Sequence, residues 1–226
     1  MKRTQRAWTA VGAAVIAVAL GGAPAPGVAD DDVGINQQLL NAARSGDEAG
    51  VNAALAAGAS TDSRNRIGDT ALITACKKGS LSMARTLIDH GANVNQADVS
   101  GITPLMAAAY GGSDAIVKLL LEHKADTTAT DRIGKTAMEY AAGQGATAAV
   151  QLLLDAGVDV NRLYKNDLTA LMWAAGYDRA DTIQLLLARG ANPALRDNRG
   201  LTAQDIAMQT HSTHAATLLP ARDPGG

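Results

Sequence analysis

The chain has 226 residues, 47% hydrophobic and 19% charged, a balance that suits a packed fold and excludes a disordered polyelectrolyte. Aromatic residues are only 3% and phenylalanine is absent, so the core must rest on alanine and leucine, which favours closely packed helices over a sheet sandwich. The net charge of −2 offers no basic excess for nucleic acid, and a single cysteine, Cys76, excludes an internal disulfide.

Residues 1–29 read as a secretory signal peptide. A basic start (Lys2, Arg3, Arg6) leads into an apolar stretch from Ala7 to Leu20, and small residues precede a cut after Ala29. The apolar stretch is shorter than the roughly 20 residues that span a bilayer. No cysteine follows it directly to carry a lipid. Removal leaves 17 basic against 22 acidic residues, a net charge of −5. The expected location is the periplasm or the exterior. An exported chain without disulfides must be held by packing alone.

From Asp32 onward one unit repeats. Gly68, Gly101, Gly134, Asp167 and Gly200 are spaced by 33 residues, each opening a similar phrase: GDTALITACKKG, GITPLMAAAYGG, GKTAMEYAAGQG, DLTALMWAAGYD and GLTAQDIAMQTH. About twenty residues later come LIDHGANV, LLEHKADT, LLDAGVDV and LLARGANP, and a weaker earlier copy reads INQQLLNAARSG. The repeat domain is 30–226, with units at about 32–64, 65–97, 98–130, 131–163, 164–196 and 197–221.

Within a unit, threonine caps a first helix, as Thr103 does before Pro104 in the first turn. That helix stops near Gly79, Gly112 or Gly145, and a second, leucine-rich helix ends near Gly91, Gly157 or Gly190. Neither helix is long enough to stand alone, so each unit must bury its faces against its neighbours. The fold class is all-α, a solenoid of about six helix-turn-helix units with short hairpin-like links.

Thr103-Pro104-Leu105, the 33-residue period and the Gly-Ala-Asn close of the second helix resemble the ankyrin-repeat family. The histidine usual after Thr-Pro-Leu is absent, with Ile73, Met106, Glu139, Met172 and Asp205 in its place. Lys124, Asp178 and His211 stand where glycine is expected; if left-handed, each costs on the order of 1 kcal/mol. The 178–211 end is therefore expected to be less stable, and the last copy, with Gln204 and Asp205, to be a solvated cap. By the resemblance, Asp98, Asp131 and Asp197 hydrogen-bond the neighbouring link.

Candidate chemistry is sparse. His90 and His123 share a register and should lie on one edge, where a metal site would need further ligands; the plainer reading is a basic group at a helix C-terminus. His211 and His214 have helical spacing but no carboxylate in position to complete a site. Cys76 falls in register with Ala109, Ala142 and Ala175, which predicts a buried thiol, although Lys77 and Lys78 would activate an exposed one. No nucleophile elbow, phosphate loop or metal framework is present, so neither catalysis nor a cofactor or metal is expected.

What remains is a surface. The resemblance implies a concave face, built from hairpin tips and first-helix ends, that binds another protein. By register it comprises Arg66, Ile67, Lys77, Lys78, Ile102, Tyr110, Arg132, Ile133, Lys135, Gln144, Lys165, Leu168, Tyr177, Arg199 and Leu201. Ile67, Ile102, Ile133, Leu168 and Leu201 read as an exposed apolar row rimmed by Arg and Lys, or as tips packed on one another. Trp173 is in register with Tyr140 and is expected to stack on it between repeats, with Tyr177 on a different, exposed face.

The leading function is a monomeric, non-catalytic protein-binding scaffold. The alternative is an accessory factor in envelope or oxidative-stress defence that supports a partner enzyme or uses Cys76 itself.

Overall fold

A computed structural model describes residues 28–221, with side chains from residue 34; the expected signal segment lies outside them apart from its last two residues. Twelve α-helices form six antiparallel pairs, and no strand occurs among the described residues. The pairs are α1 (Val28–Ser45) with α2 (Glu48–Ala56), α3 (Ala71–Lys78) with α4 (Leu81–Asp89), and α5 (Pro104–Tyr110) with α6 (Asp114–Glu122). They continue as α7 (Ala137–Gln144) with α8 (Thr147–Asp155), α9 (Ala170–Gly176) with α10 (Ala180–Ala188), and α11 (Ala203–Gln209) with α12 (Thr213–Leu218). First helices pack on first helices in one layer and second helices on second helices in another.

The threonine signal is a cap in physical fact. Thr70, Thr103, Thr169 and Thr202 each accept, through Oγ1, the backbone N–H three residues on at 3.2 Å. The first unit has Gln37 at this register, so no hairpin forms and α1 runs back continuously to Val28. The core between the layers is mostly alanine with one leucine or isoleucine row: Ala75, Ala108, Ala141, Ala174 and Ala207 are all fully buried. Side chains that small let the helices approach closely, which accounts for a core without phenylalanine.

Hairpins connect the pairs. Asp98 Oδ1 accepts from the N–H groups of Ser100 and Ile102 at 2.7 and 2.9 Å, and Asp131 and Asp197 repeat the arrangement. These aspartates therefore close their own turns and do not bond the neighbouring link as expected, because the two N–H groups of a tight turn are nearer than any in the next repeat. Adjacent hairpins touch backbone to backbone: Arg132 N–H donates to Ser100 O at 2.9 Å, and Asn198 N–H to Asn166 O at 3.0 Å. At Gly101, φ is +81°, and a Cβ would come within 2.9 Å of Asp131 Cα, so both conformation and approach demand glycine.

One junction departs. Tyr164 replaces the turn-closing Asp or Asn, and the tip 165–167 becomes a short 3₁₀ turn in which Asn166 and Asp167 are both left-handed, at φ 63° and 59°. The backbone rung to the preceding hairpin is replaced by the Lys165 ammonium, which donates to Ile133 O at 3.1 Å. Lys124, Asp178 and His211 are left-handed as expected, at φ 60°, 57° and 58°.

Candidate protein-binding surface

The hairpins and the C-terminal ends of the first helices line one side of the molecule. Ile67 and Ile133 project from it, 59% and 57% exposed, and the exposed Val99 donates its N–H to Ile67 O. Ile102, Leu168 and Leu201 do not: they fold against the core, which corrects the reading of a single exposed row. The two registers differ by two residues. The first sits at the turn apex, whereas the second lies in the returning limb, whose side chains point down onto the helices.

The cations divide in the same way. Arg66, Lys78 and Arg132 are exposed and make no salt bridge among the described residues. Lys77 is tied to Asp69 at 2.7 Å and to Asp98 at 3.7 Å, and Arg199 grips Asp197 through Nε and Nη2 at 2.8 and 2.6 Å. Gln144 is exposed at the end of α7.

Four rings and one ammonium form a continuous strip across three repeats. Tyr110, 58% exposed, meets Tyr140 edge to face at 5.8 Å. Trp173 stacks on Tyr177 with ring centroids 6.1 Å apart and planes 9° from parallel. Between the two aromatic pairs lies Lys135, with Nζ 4.1 Å from the Trp173 centroid and 5.5 Å from that of Tyr140.

The expected Trp173–Tyr140 stack is thus wrong, and Trp173 and Tyr177 share one face. Two causes are visible. Tyr140 is held elsewhere, its hydroxyl donating to Asp131 Oδ2 at 2.5 Å, and burial together with this bond pushes its pKa up. Tyr177 lies beyond the last helical residue of α9, at φ −108°, so helical periodicity does not fix its direction. It swings over Gly143, where a Cβ would meet its ring at 3.5 Å.

Beneath the strip sits Glu139, buried, whose Oε2 accepts the Thr136 N–H at 2.7 Å. Burial pushes its pKa up against the opposing pull of Thr136, Lys135 and the Trp173 indole N–H. Tyr164 beside it is half-buried with its hydroxyl enclosed, and its phenol is raised to about 12, again by burial. Sequence reading noted Glu139 only as a departure and did not connect it with Tyr164; the shared signal is that both depart from the repeat in adjoining units.

Along the strip, Ile102, Met106, Ala107, Tyr110, Gly111 and Tyr140 line an apolar groove of about 380 Å³, with Lys77 at its edge. Elsewhere the chemistry stays structural. Cys76 is fully buried, and burial lifts its thiol to about 12, which removes the reactive form at neutral pH. His90 is exposed at the end of α4 with Nδ1 2.8 Å from Thr86 O. A carboxylate does stand beside His214: Asp178 Oδ2 lies 2.8 Å from its Nδ1, while Asp178 Oδ1 accepts the Ala215 N–H at 2.7 Å. The sequence missed this pair because its members are a full repeat apart. It tethers α12, and no group of three metal-binding side chains occurs among the described residues.

No curated protein matches the chain. A family model for ankyrin repeats in three copies matches residues 39–131, 94–164 and 138–224, which together span nearly all of the stacked pairs. Given that match, the 33-residue period and the two-layered helix pairs, the chain belongs to the ankyrin-repeat family, whose members are in general non-catalytic protein-interaction modules.

Proposed function

We propose that this chain is an exported, non-catalytic scaffold that recognises a protein partner through the face running from Arg66 to Tyr177. The observation that carries the reading is the strip Tyr110–Tyr140–Lys135–Trp173–Tyr177, which presents aromatic surface beside an apolar groove. Rings held by a packed scaffold lose little freedom on binding, and they are the side chains over-represented among interface hot spots. Export rests on residues 1–29 and places the scaffold in the periplasm or outside the cell. The alternative role in oxidative defence loses its thiol version to the burial of Cys76.

A photo-cross-linking residue at position 110 or 177, compared with one at the exposed Lys118 on the second helix α6, tests the binding face in the native cell. The expected result is a discrete protein adduct from 110 and 177 and none from 118. Adducts from 118 alone, or from no position, overturn the reading. The N-terminus of the exported protein is expected to be Asp30, readable by direct sequencing.

A further inference from the structure

The binding face has its own charge, opposite in sign to that of the chain. Overall the chain is net −2. On the hairpin side, however, Arg66, Lys78, Arg132 and Lys165 are exposed without a salt bridge among the described residues, and Lys135 lies against aromatic rings. The carboxylates of the same side are spent on the fold. Asp69, Asp131 and Asp197 are buried, the Asp98 side chain is 7% exposed, and three of the four hold turn N–H groups. Asp167 is the exposed acid of the hairpin tips among the described residues. Exposed acids otherwise lie on the second helices and the links, at Asp89, Glu122, Asp126, Asp155 and Asp159, with Asp114 and Asp181 in the first turns of α6 and α10, near Tyr110 and Gln144.

We infer that the occupant of this face is an acidic protein segment carrying one bulky aliphatic side chain that seats between Tyr110 and Tyr140. The inference rests on the binding face proposed above. Three observations choose this chemistry. The uncompensated cations attract carboxylates and steer their approach. The groove, floored by Met106 and Ala107, offers an apolar slot with a single charged residue, Lys77, at its edge, itself neutralised by Asp69. The rings, finally, do not offer the open faces that stacked nucleobases need: Trp173 is covered by Tyr177 and by Lys135, and Tyr110 meets Tyr140 edge to face.

Selection of a random displayed peptide library on the full chain tests the inference. The expected survivors are net acidic around one Leu, Ile or Met. Tyr110→Ala, at an exposed ring, should weaken a selected peptide about tenfold or more, with the melting temperature of the variant as its folding control. The double charge reversal Lys78→Glu with Arg132→Glu should weaken it about tenfold and reduce its sensitivity to salt. Survivors that are neutral or basic yet lost on Tyr110→Ala overturn the acidic class and leave the face standing. Acidic survivors indifferent to both variants, or no survivors, overturn the face as well. Competition by single-stranded oligothymidylate for the same face overturns the inference in favour of nucleic acid.

Discussion

Lys124 and Glu139 show how a repeat protein tolerates the wrong residue in two different ways. Lys124 occupies a left-handed position at φ 60° that its counterparts fill with glycine, and its exposed side chain gains no partner among the described residues. Lys124→Gly should stabilise the fold by about 0.5–1 kcal/mol, read as a raised denaturation midpoint at unchanged slope. Glu139 pays for its burial in protonation. Its folded pKa lies above its ordinary value of 4.5, so its stabilising contribution is full below that value and falls as pH rises through the folded pKa. Glu139→Gln keeps an acceptor for the Thr136 N–H and removes the titration. Urea unfolding between acid and neutral pH should therefore show a flatter pH profile for the variant, with the two proteins converging in acid. Lys124 was legible in the sequence because the period names the missing glycine. The environment of Glu139 was not, since it is assembled from Tyr164 and Trp173 of the next unit.

Among the elements, the helices were readable and the directions of side chains past their ends were not. Caps, lengths and the buried register follow from threonine, alanine and the period, all of which act within one unit. Tyr177 lies one residue beyond α9, where a backbone angle decides which way the ring points. The tip residues failed for a related reason: a hairpin apex and its returning limb differ by two residues in sequence but by exposure and core in space, as Ile133 and Leu168 illustrate. Trp173 is half-buried, stacked on Tyr177 and capped by Lys135, so it serves both the α7–α9 contact and the surface. Trp173→Ala should cost about 2–3 kcal/mol, less than a fully buried tryptophan, in chemical denaturation. A loss below about 0.5 kcal/mol would mean that the indole contributes to the surface alone.

For the whole molecule, stability is a sum of units and of contacts between neighbours, and the end units have one neighbour fewer. The last pair is further weakened: α12 has six residues, His211 is left-handed, and Met208 is 58% exposed at a register that other repeats bury. Its tether to the preceding pair includes the exposed bonds of Asp178 to Ala215 and His214. Amide hydrogen exchange should accordingly be fastest in residues 203–218 and slowest in the helices between 137 and 155, where the pair is flanked on both sides. Equal protection along the chain would show that the stack opens only as a whole. The two-layer architecture was legible from periodicity alone. The excess of free cations on the hairpins was not, because it depends on which aspartates turn inward to close the turns.

The stacked indole has a spectroscopic consequence. The chain contains two tryptophans, Trp8 and Trp173; under the export proposed above, cleavage would remove Trp8 and leave Trp173 as the emitting residue. That fluorophore lies on the face assigned to the partner, between a phenol ring and an ammonium group whose position any ligand there would disturb. Intrinsic emission, without a label or a substitution, therefore reports occupancy of the strip directly, and the selected peptides can be titrated by the colour of one residue.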